Sequence, residues 1–166
     1  LLQGALGTAD ALGPAVLETM DNARACSDIM RGFVQRTVNF VYAGFTRLDG
    51  VTECSSVPGV HDMSQNAAFQ QFTDSPGTLV TTSQDGLATD RSVVVVIQPL
   101  YRGVELLGYI NVSMTHDLLR SSHVSAMETE GARILTFNTQ GQILSTDSDD
   151  EDDLAQVLPR GQSLPS

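Results

Sequence analysis

Two apolar runs around a short polar turn dominate the hydrophobic pattern of the chain. The first run, residues 93–97, is rich in β-branched side chains, which favour a pleated strand. The second run, residues 106–114, ends in a near-alternation of polar and apolar residues, which predicts a strand with one buried face. We expect Pro99 to end the first strand, because proline has no N–H to donate, and Gly103 and Gly108 to allow a turn and close backbone approach. The pattern therefore predicts a hairpin at the centre of an antiparallel sheet.

Helical periodicity covers the N-terminal part of the chain, residues 1–36. Between Val16 and Val34 most apolar positions are three or four residues apart, which produces a single apolar stripe. Pro14 fits a first helical turn, and Asp10 is a candidate cap further upstream. We therefore predict one long helix that packs through this stripe.

The segment between the long helix and the central hairpin predicts two further strands, a short helix and a third strand. Residues 38–48 and 51–56 form a strand pair around Asp49-Gly50, which is a type I′ hairpin signal. The pattern predicts the short helix at residues 63–74 and the next strand at residues 78–83. The resulting order is helix, two strands, helix, three strands, which is typical of an α+β domain with a five-stranded antiparallel sheet.

The C-terminal part predicts a smaller unit. Residues 132–146 indicate another hairpin, and residues 147–153 are an acidic run. The predicted division is a long N-terminal helix at 1–36, a sheet module at 37–120, and a partial second module or C-terminal extension at 121–166.

Charge narrows the range of partners. The formal net charge is −11 at pH 7, which argues against nucleic-acid binding and against docking on an anionic bilayer. No stretch reaches the roughly 18 apolar residues of a membrane span. Because the chain begins at Leu1 without a methionine, we expect an excised piece whose membrane anchors lie outside it.

Motifs for catalysis, cofactors and metals are absent from the sequence. No GxSxG elbow, Walker loop, Rossmann glycine pattern or HExxH spacing is present, so we predict no catalytic residue, no cofactor and no metal site. The acidic run has Asp152 where a calcium loop of the EF-hand type needs glycine, which favours a solvated loop.

Three features are candidates for a structural or binding role. Cys26 and Cys54 are the only cysteines, and they would form a disulfide in an exported chain or remain two buried thiols otherwise. Arg91, at the start of an apolar strand, could bind a carboxylate in bidentate fashion or pair with a nearby aspartate. Tyr109, Asn111 and Ser113 share one strand face, and this face would line a polar pocket or meet solvent.

Taken in order, three stretches resemble a known family: ACSDI, then VNFVYAGFTRLDGVTECSS, then SVVVVIQPLYRGVELLGYINVSMTHDLL after the short helix. They resemble the Cache sensor domains, PAS-like extracytoplasmic domains of bacterial membrane receptors, over about residues 10–120. The most specific parts are D-G-x-x-x-C-S-S at 49–56, the paired Cys26, and P-L-x-x-G-x-x-x-x-G-Y-I at 99–110. The stretch ILTFNTQGQILST, followed by VLPRG, is similar to the start of the second module of double-Cache receptors.

This resemblance implies a periplasmic domain that senses a small molecule and signals through its N-terminal helix to a histidine kinase, diguanylate cyclase or chemotaxis output. It also implies a homodimer formed through that helix. The pocket would lie over the sheet beneath the short helix. The residues that it places near the ligand are Phe69, Phe72, Thr81, Ser83, Arg91, Tyr109 and Asn111.

The short helix departs from the family pattern for amino-acid ligands. Amino-acid-binding Cache domains typically have an arginine and aromatic residues on this helix, whereas here Asn66 stands where an arginine is expected and no Trp or Tyr is present. An amino-acid ligand is therefore disfavoured, and a small carboxylate bound through Arg91 stays open. The alternative function is a PAS-like dimerisation or protein-interaction domain without a small-molecule ligand.

Overall fold

The described part of the chain is built on a five-stranded antiparallel sheet, as the sequence predicts, and helices lie on both faces of this sheet. The computed structural model describes residues 2–83, 86–116, 135–138 and 143–146. In chain order the elements are α1 (Leu2–Thr19), α2 (Ala23–Arg36), β1 (Tyr42–Arg47), β2 (Val51–Thr52), β3 (Cys54–Ser55), β4 (His61–Asp62), α3 (Ala67–Asp74), β5 (Leu79–Ser83), β6 (Val93–Arg102), β7 (Glu105–Thr115), β8 (Leu135–Phe137) and β9 (Ile143–Thr146). The five-stranded sheet has the strand order β3-β1-β7-β6-β5, which the sequence pattern does not predict.

The predicted central hairpin is formed by β6 and β7, joined by a tight turn in which Gly103 has a φ of +64°. Strand β7 lies in the middle of the sheet, between β1 and β6. The expectation that Pro99 ends the first strand is wrong, because β6 continues through it to Arg102. Strand β5 pairs only as far as Ile97, so Pro99 lies where β6 has no β5 partner, and such an edge position tolerates proline.

Two helices, rather than the predicted single helix, occupy residues 2–36. Helix α1 ends at Thr19, and α2 begins after Asn22, whose side-chain oxygen accepts a hydrogen bond from Ala25 N at 3.1 Å. This N-cap interrupts a stripe that otherwise continues at helical spacing. Pro14 lies inside α1 and not in its first turn. Asp10 does not cap a helix but accepts a hydrogen bond from Gln98 Nε2 at 3.0 Å.

The main core lies between one face of the sheet and the helices α1 and α2. Helix α1 presents a stripe of buried residues, Ala5, Ala9, Leu12 and Val16, at steps of three and four. Most of these side chains are small, so the helix lies close to β6 and β7. The strand residues beneath the two helices are apolar and almost fully buried: Ala43, Phe45, Val94, Val96, Ile110, Val112 and Met114.

A second, smaller core lies on the other face of the sheet, beneath α3. Phe69 and Phe72 of α3 pack with Ile97 and Tyr109 of the sheet. The helix begins where Asn66 Oδ1 accepts hydrogen bonds from Ala68 N and Phe69 N, at 2.9 and 3.4 Å. The predicted short helix is therefore present, and its N-cap sets the point at which it begins.

The turn after β1 differs from the predicted type I′ turn. Gly50 N donates to Arg47 O at 3.0 Å, so Leu48 and Asp49 are the central residues and Gly50 follows them with a φ of +85°. The predicted return strand is divided into β2 and β3, and β2 pairs with β4, which the sequence pattern does not predict.

The Cys26–Cys54 disulfide is present and joins α2 to β3, with a Cα–Cα distance of 5.3 Å. Ser27 reinforces the same contact: its hydroxyl donates to Glu53 O and accepts from Ser55 N, both at 3.2 Å. Of the two alternatives left by the sequence, the cross-link is therefore confirmed and the pair of separate thiols is wrong.

The predicted C-terminal hairpin is present as β8 and β9, which pair antiparallel. Asn138 Nδ2 donates to Val80 O of β5 at 2.8 Å, and a ring nitrogen of His116 contacts the Leu144 carbonyl oxygen, so the hairpin is tied to the sheet module. The acidic run at 147–153 lies outside the described residues, and the division at 120 and 121 stays a prediction. Within the described ranges, no helix combines the length and apolar character needed to cross a membrane.

Candidate ligand-binding site

A cavity of about 530 Å³ lies on the sheet face opposite α1 and α2. Because side chains alternate along a strand, every second residue of β6 and β7 faces this cavity, and the neighbouring strands β1 and β5 extend its floor on either side. Helix α3 and the segment before it supply another wall. The residues that line the cavity are Tyr42, Met63, Asn66, Ala67, Ala68, Gln71, Thr81, Thr82, Ser83, Gly86, Leu87, Val93, Val95, Ile97, Tyr109, Asn111 and Ser113.

The lining combines apolar surface with hydroxyl and amide groups. Valine, isoleucine, methionine and leucine side chains provide the apolar part, and threonine, serine, asparagine, glutamine and tyrosine provide the polar part. Among the described residues that line it, none carries a formal charge at neutral pH. A few convergent polar groups in a largely preformed concave site are typical of small-molecule binding.

Tyr109 is a fixed part of the cavity floor. Its ring packs against Phe72 and Phe69, with centroid distances of 4.7 and 6.1 Å. Burial raises the pKa of the Tyr109 phenol, and hydrogen bonds from the Thr46 and Asn111 side chains offset part of this rise. The phenol is therefore neutral at physiological pH, and its ring is held by aromatic packing on the α3 side.

Tyr42 and Asn111 contribute polar atoms that are buried and unpaired. Tyr42 Oη and Asn111 Oδ1 have no hydrogen-bond partner in the described part of the chain. Burial raises the pKa of the Tyr42 phenol well above its usual value, and the nearby Ser55 hydroxyl offsets only part of this rise. In the described structure the Ser55 hydroxyl donates to Val57 O at 2.8 Å, and Tyr42 Oη and Ser55 Oγ form no hydrogen bond with each other.

The predicted ligand-binding residues fall into three groups. Thr81, Ser83, Tyr109 and Asn111 line the cavity. Phe69 and Phe72 do not line it but lie behind Tyr109 in the small core. Arg91 is exposed and is not part of the described lining. The described lining therefore brings no arginine to the site for the carboxylate that the sequence left open.

Several lining residues were missed as site residues by the sequence reasoning. Tyr42 lies in a strand that was predicted, but only its pairing with β7, where it faces Ser113, shows which way its side chain points. Ser113 was placed by the sequence on the same strand face as Tyr109 and Asn111, which would line a pocket or meet solvent, and it lines the cavity. Met63 precedes α3 and Gln71 lies within it. Their place in the lining depends on how α3 packs on the sheet, which cannot be predicted from the local sequence.

Comparisons with known proteins give one consistent result for the fold. No protein-family model matches the sequence, and no curated protein is significantly similar to it. The ligand-binding domain of the Pseudomonas aeruginosa amino-acid chemoreceptor PctC, in complex with GABA, aligns with a TM-score of 0.70 at 19% identity, over 99% of this chain and 75% of that one. The corresponding domain of Pseudomonas fluorescens CtaA, in complex with L-serine, has a TM-score of 0.72 at 15% identity, over 95% of this chain and 68% of that one.

A third structure extends the same result to another class of receptor. The extracellular domain of a protein named as a histidine kinase aligns with a TM-score of 0.71 at 14% identity, and the match covers 87% of this chain. The present chain spans 62% of the length of that domain. The resemblance inferred from the sequence is thus confirmed at the level of structure: the chain has the PAS-like α+β fold of extracellular Cache sensor domains.

Proposed function

We propose that this chain is the extracytoplasmic small-molecule-sensing domain of a bacterial transmembrane receptor with a histidine kinase, diguanylate cyclase or chemotaxis output. The observation that carries the proposal is the cavity of about 530 Å³ between the sheet and α3. A cavity of this size holds a metabolite-sized ligand. The named neighbours in complex with GABA and L-serine support a small-molecule ligand for this chain as well.

The strands that line the cavity also carry the N-terminal helices on their other face. In β6, Val93 and Val95 line the cavity, whereas Val94 and Val96 belong to the core beneath α1 and α2. A ligand that binds one strand arrangement more tightly than another would therefore change the packing surface of the helices. In the proposed receptor, this shift is the signal that leaves the domain through its N-terminal helices.

A periplasmic location is part of the proposal. The Cys26–Cys54 disulfide supports it, because disulfides persist in oxidising compartments such as the bacterial periplasm. The neighbours support it too, since the histidine-kinase match is an extracellular domain.

The test is a ligand screen with a blocked cavity as its comparison. Purified domain is screened by thermal shift against amino acids, small carboxylates, amides, nucleobases and sugars, and native mass spectrometry records any molecule that copurifies. At a ligand concentration of about 100 times Kd, binding stabilises the folded state by about 2.7 kcal/mol. Val95→Phe, which adds bulk inside the cavity, should abolish this stabilisation.

Val38→Phe provides the matched control, because Val38 is 97% exposed and lies outside the described cavity lining. It should leave the ligand-induced shift unchanged. If no compound stabilises the domain and none copurifies, the proposal is wrong. It is also wrong if Val95→Phe binds the ligand as well as the unmodified domain does.

A further inference from the structure

The unpaired polar atoms on the cavity floor point to the chemical class of the ligand, an inference that rests on the proposed function. Asn111 is 5% exposed and Tyr42 is 4% exposed, yet Asn111 Oδ1 and Tyr42 Oη lack partners in the described residues. A buried polar group without a hydrogen bond is unfavourable, and most such groups in native proteins are paired. A ligand that supplies the missing partners would remove this cost.

The surroundings of Asn111 define what its free atom can accept. An amide carbonyl oxygen can only accept a hydrogen bond, and Asn111 Oδ1 accepts none from the described residues. It is therefore an unpaired acceptor on a residue that lines the cavity. It therefore requires an N–H or O–H donor from the ligand.

Tyr42 places a hydroxyl close to the same part of the floor. A Cβ atom on Gly44 would collide with the Tyr42 hydroxyl, so the Tyr42 side chain extends along β1 across Gly44. Gly44 is the cross-strand partner of Asn111. The phenol is neutral, because burial raises its pKa, and it can donate its proton to a carbonyl oxygen.

The charge of the lining limits the ligand further. The described lining residues are all neutral, and Arg91, the cation suggested by the sequence, is not among them. Burying a carboxylate or an ammonium group without a paired charge is strongly unfavourable. The same cavity accommodates a neutral polar molecule without this cost.

We propose that the cavity binds a small uncharged molecule that carries an N–H donor beside a carbonyl acceptor, as in a carboxamide, lactam or urea. Its N–H donates to Asn111 Oδ1, and its carbonyl oxygen accepts the proton of the Tyr42 hydroxyl. The apolar remainder of the ligand lies against Val95 and Ile97 of β6.

The experiment compares pairs of compounds that differ in charge but share a skeleton: 2-pyrrolidinone with GABA, nicotinamide with nicotinate, and benzamide with benzoate. Calorimetry and thermal shift are measured on the whole domain with its disulfide intact. We expect an uncharged member to bind and its charged counterpart not to bind. Asn111→Leu should raise the Kd of that amide about tenfold, since it removes the acceptor.

Two further variants keep the test independent of folding effects at Asn111. Tyr42→Phe removes one oxygen and should raise the Kd of the amide several-fold. Tyr101→Phe makes the same chemical change at a residue that is 43% exposed and outside the described lining, and it should leave the Kd unchanged.

The outcomes separate this proposal from the function on which it rests. If a charged member or an amino acid binds and the amides do not, the ligand class is wrong while the sensing function stands. If an amide binds equally well to Asn111→Leu and to the unmodified domain, the assignment of the site is wrong. If none of these compounds and none from the wider screen binds, both proposals are overturned.

Discussion

Reduction of the Cys26–Cys54 disulfide should lower the free energy of unfolding by about 3.5 kcal/mol. The bond joins residues 28 positions apart, and the loop-closure entropy of a chain segment of that length corresponds to about 3.5 kcal/mol at 25 °C. Both cysteines are buried, at 0% and 4% exposure, so the reduced thiols stay in the same apolar surroundings and little folded-state packing is lost. The effect should therefore arise mainly in the unfolded state.

The assay is urea unfolding followed by far-ultraviolet circular dichroism, with and without reductant. The reduced protein should unfold at lower urea with a larger m-value, because its unfolded chain exposes more surface without the cross-link. The double variant Cys26→Ala/Cys54→Ala provides the control, since reductant should not change its unfolding curve. Mass spectrometry of the unreduced protein should show two hydrogens fewer than the reduced form.

The hydrogen bonds between α2 and the β3 segment can be tested separately from the Cys26–Cys54 disulfide. Ser27→Ala removes the two hydrogen bonds between α2 and the β3 segment, which should cost about 1–2 kcal/mol in the oxidised protein. If reduction lowers the free energy of unfolding by less than about 1 kcal/mol and leaves the m-value unchanged, the loop-entropy reasoning is refuted. In that case the α2–β3 contact would be held by packing and hydrogen bonds.

Three further outcomes are expected. Asn22→Ala should destabilise the domain by about 1 kcal/mol in chemical unfolding, because α2 loses its N-cap, whereas Asn22→Asp should be near neutral. Gly108→Ala should lower the free energy of unfolding by more than about 2 kcal/mol, because the new Cβ would collide with the Thr46 carbonyl oxygen. Gly103→Ala has open space around it and should lower the free energy of unfolding by only about 1 kcal/mol. The pKa of Tyr42 is raised in the folded state, so the unfolded chain loses the phenol proton first and stability should fall as pH rises above about 10, the usual pKa of tyrosine. Tyr42→Phe should make this fall smaller when it is measured by thermal unfolding.

Local patterns were sufficient for most of the elements of this fold. The β-branched run at 93–97 and the alternation at 106–114 predicted β6 and β7 because strand burial repeats every second residue. The paired cysteines predicted the link between α2 and β3 once export was assumed. In contrast, the break between α1 and α2 was missed, because the apolar stripe continues through it and only the capping side chain of Asn22 marks the new start.

The candidate site was predicted less completely, since it depends on how separate elements pair. Tyr109 and Asn111 were found from the alternation within one strand, and both line the cavity. Arg91 was chosen from its place at a strand end, but its exposed position could not be read from the sequence. Phe69 was assigned to the ligand, yet the way α3 docks directs it into the small core behind Tyr109.

Strand pairing explains why the proposed ligand contacts come together. Asn111 is adjacent to Gly44 across the β1–β7 pair, and the Tyr42 ring can occupy the space above Gly44 only because that residue has no side chain. A Gly44→Ala substitution should therefore displace the Tyr42 hydroxyl without removing any polar group from the cavity. If it weakens binding of an uncharged amide as much as Tyr42→Phe does, the position of the phenol, and not only its presence, determines recognition. A Gly44→Ala domain that folds and binds the amide normally would show that the Tyr42 hydroxyl takes no part in binding.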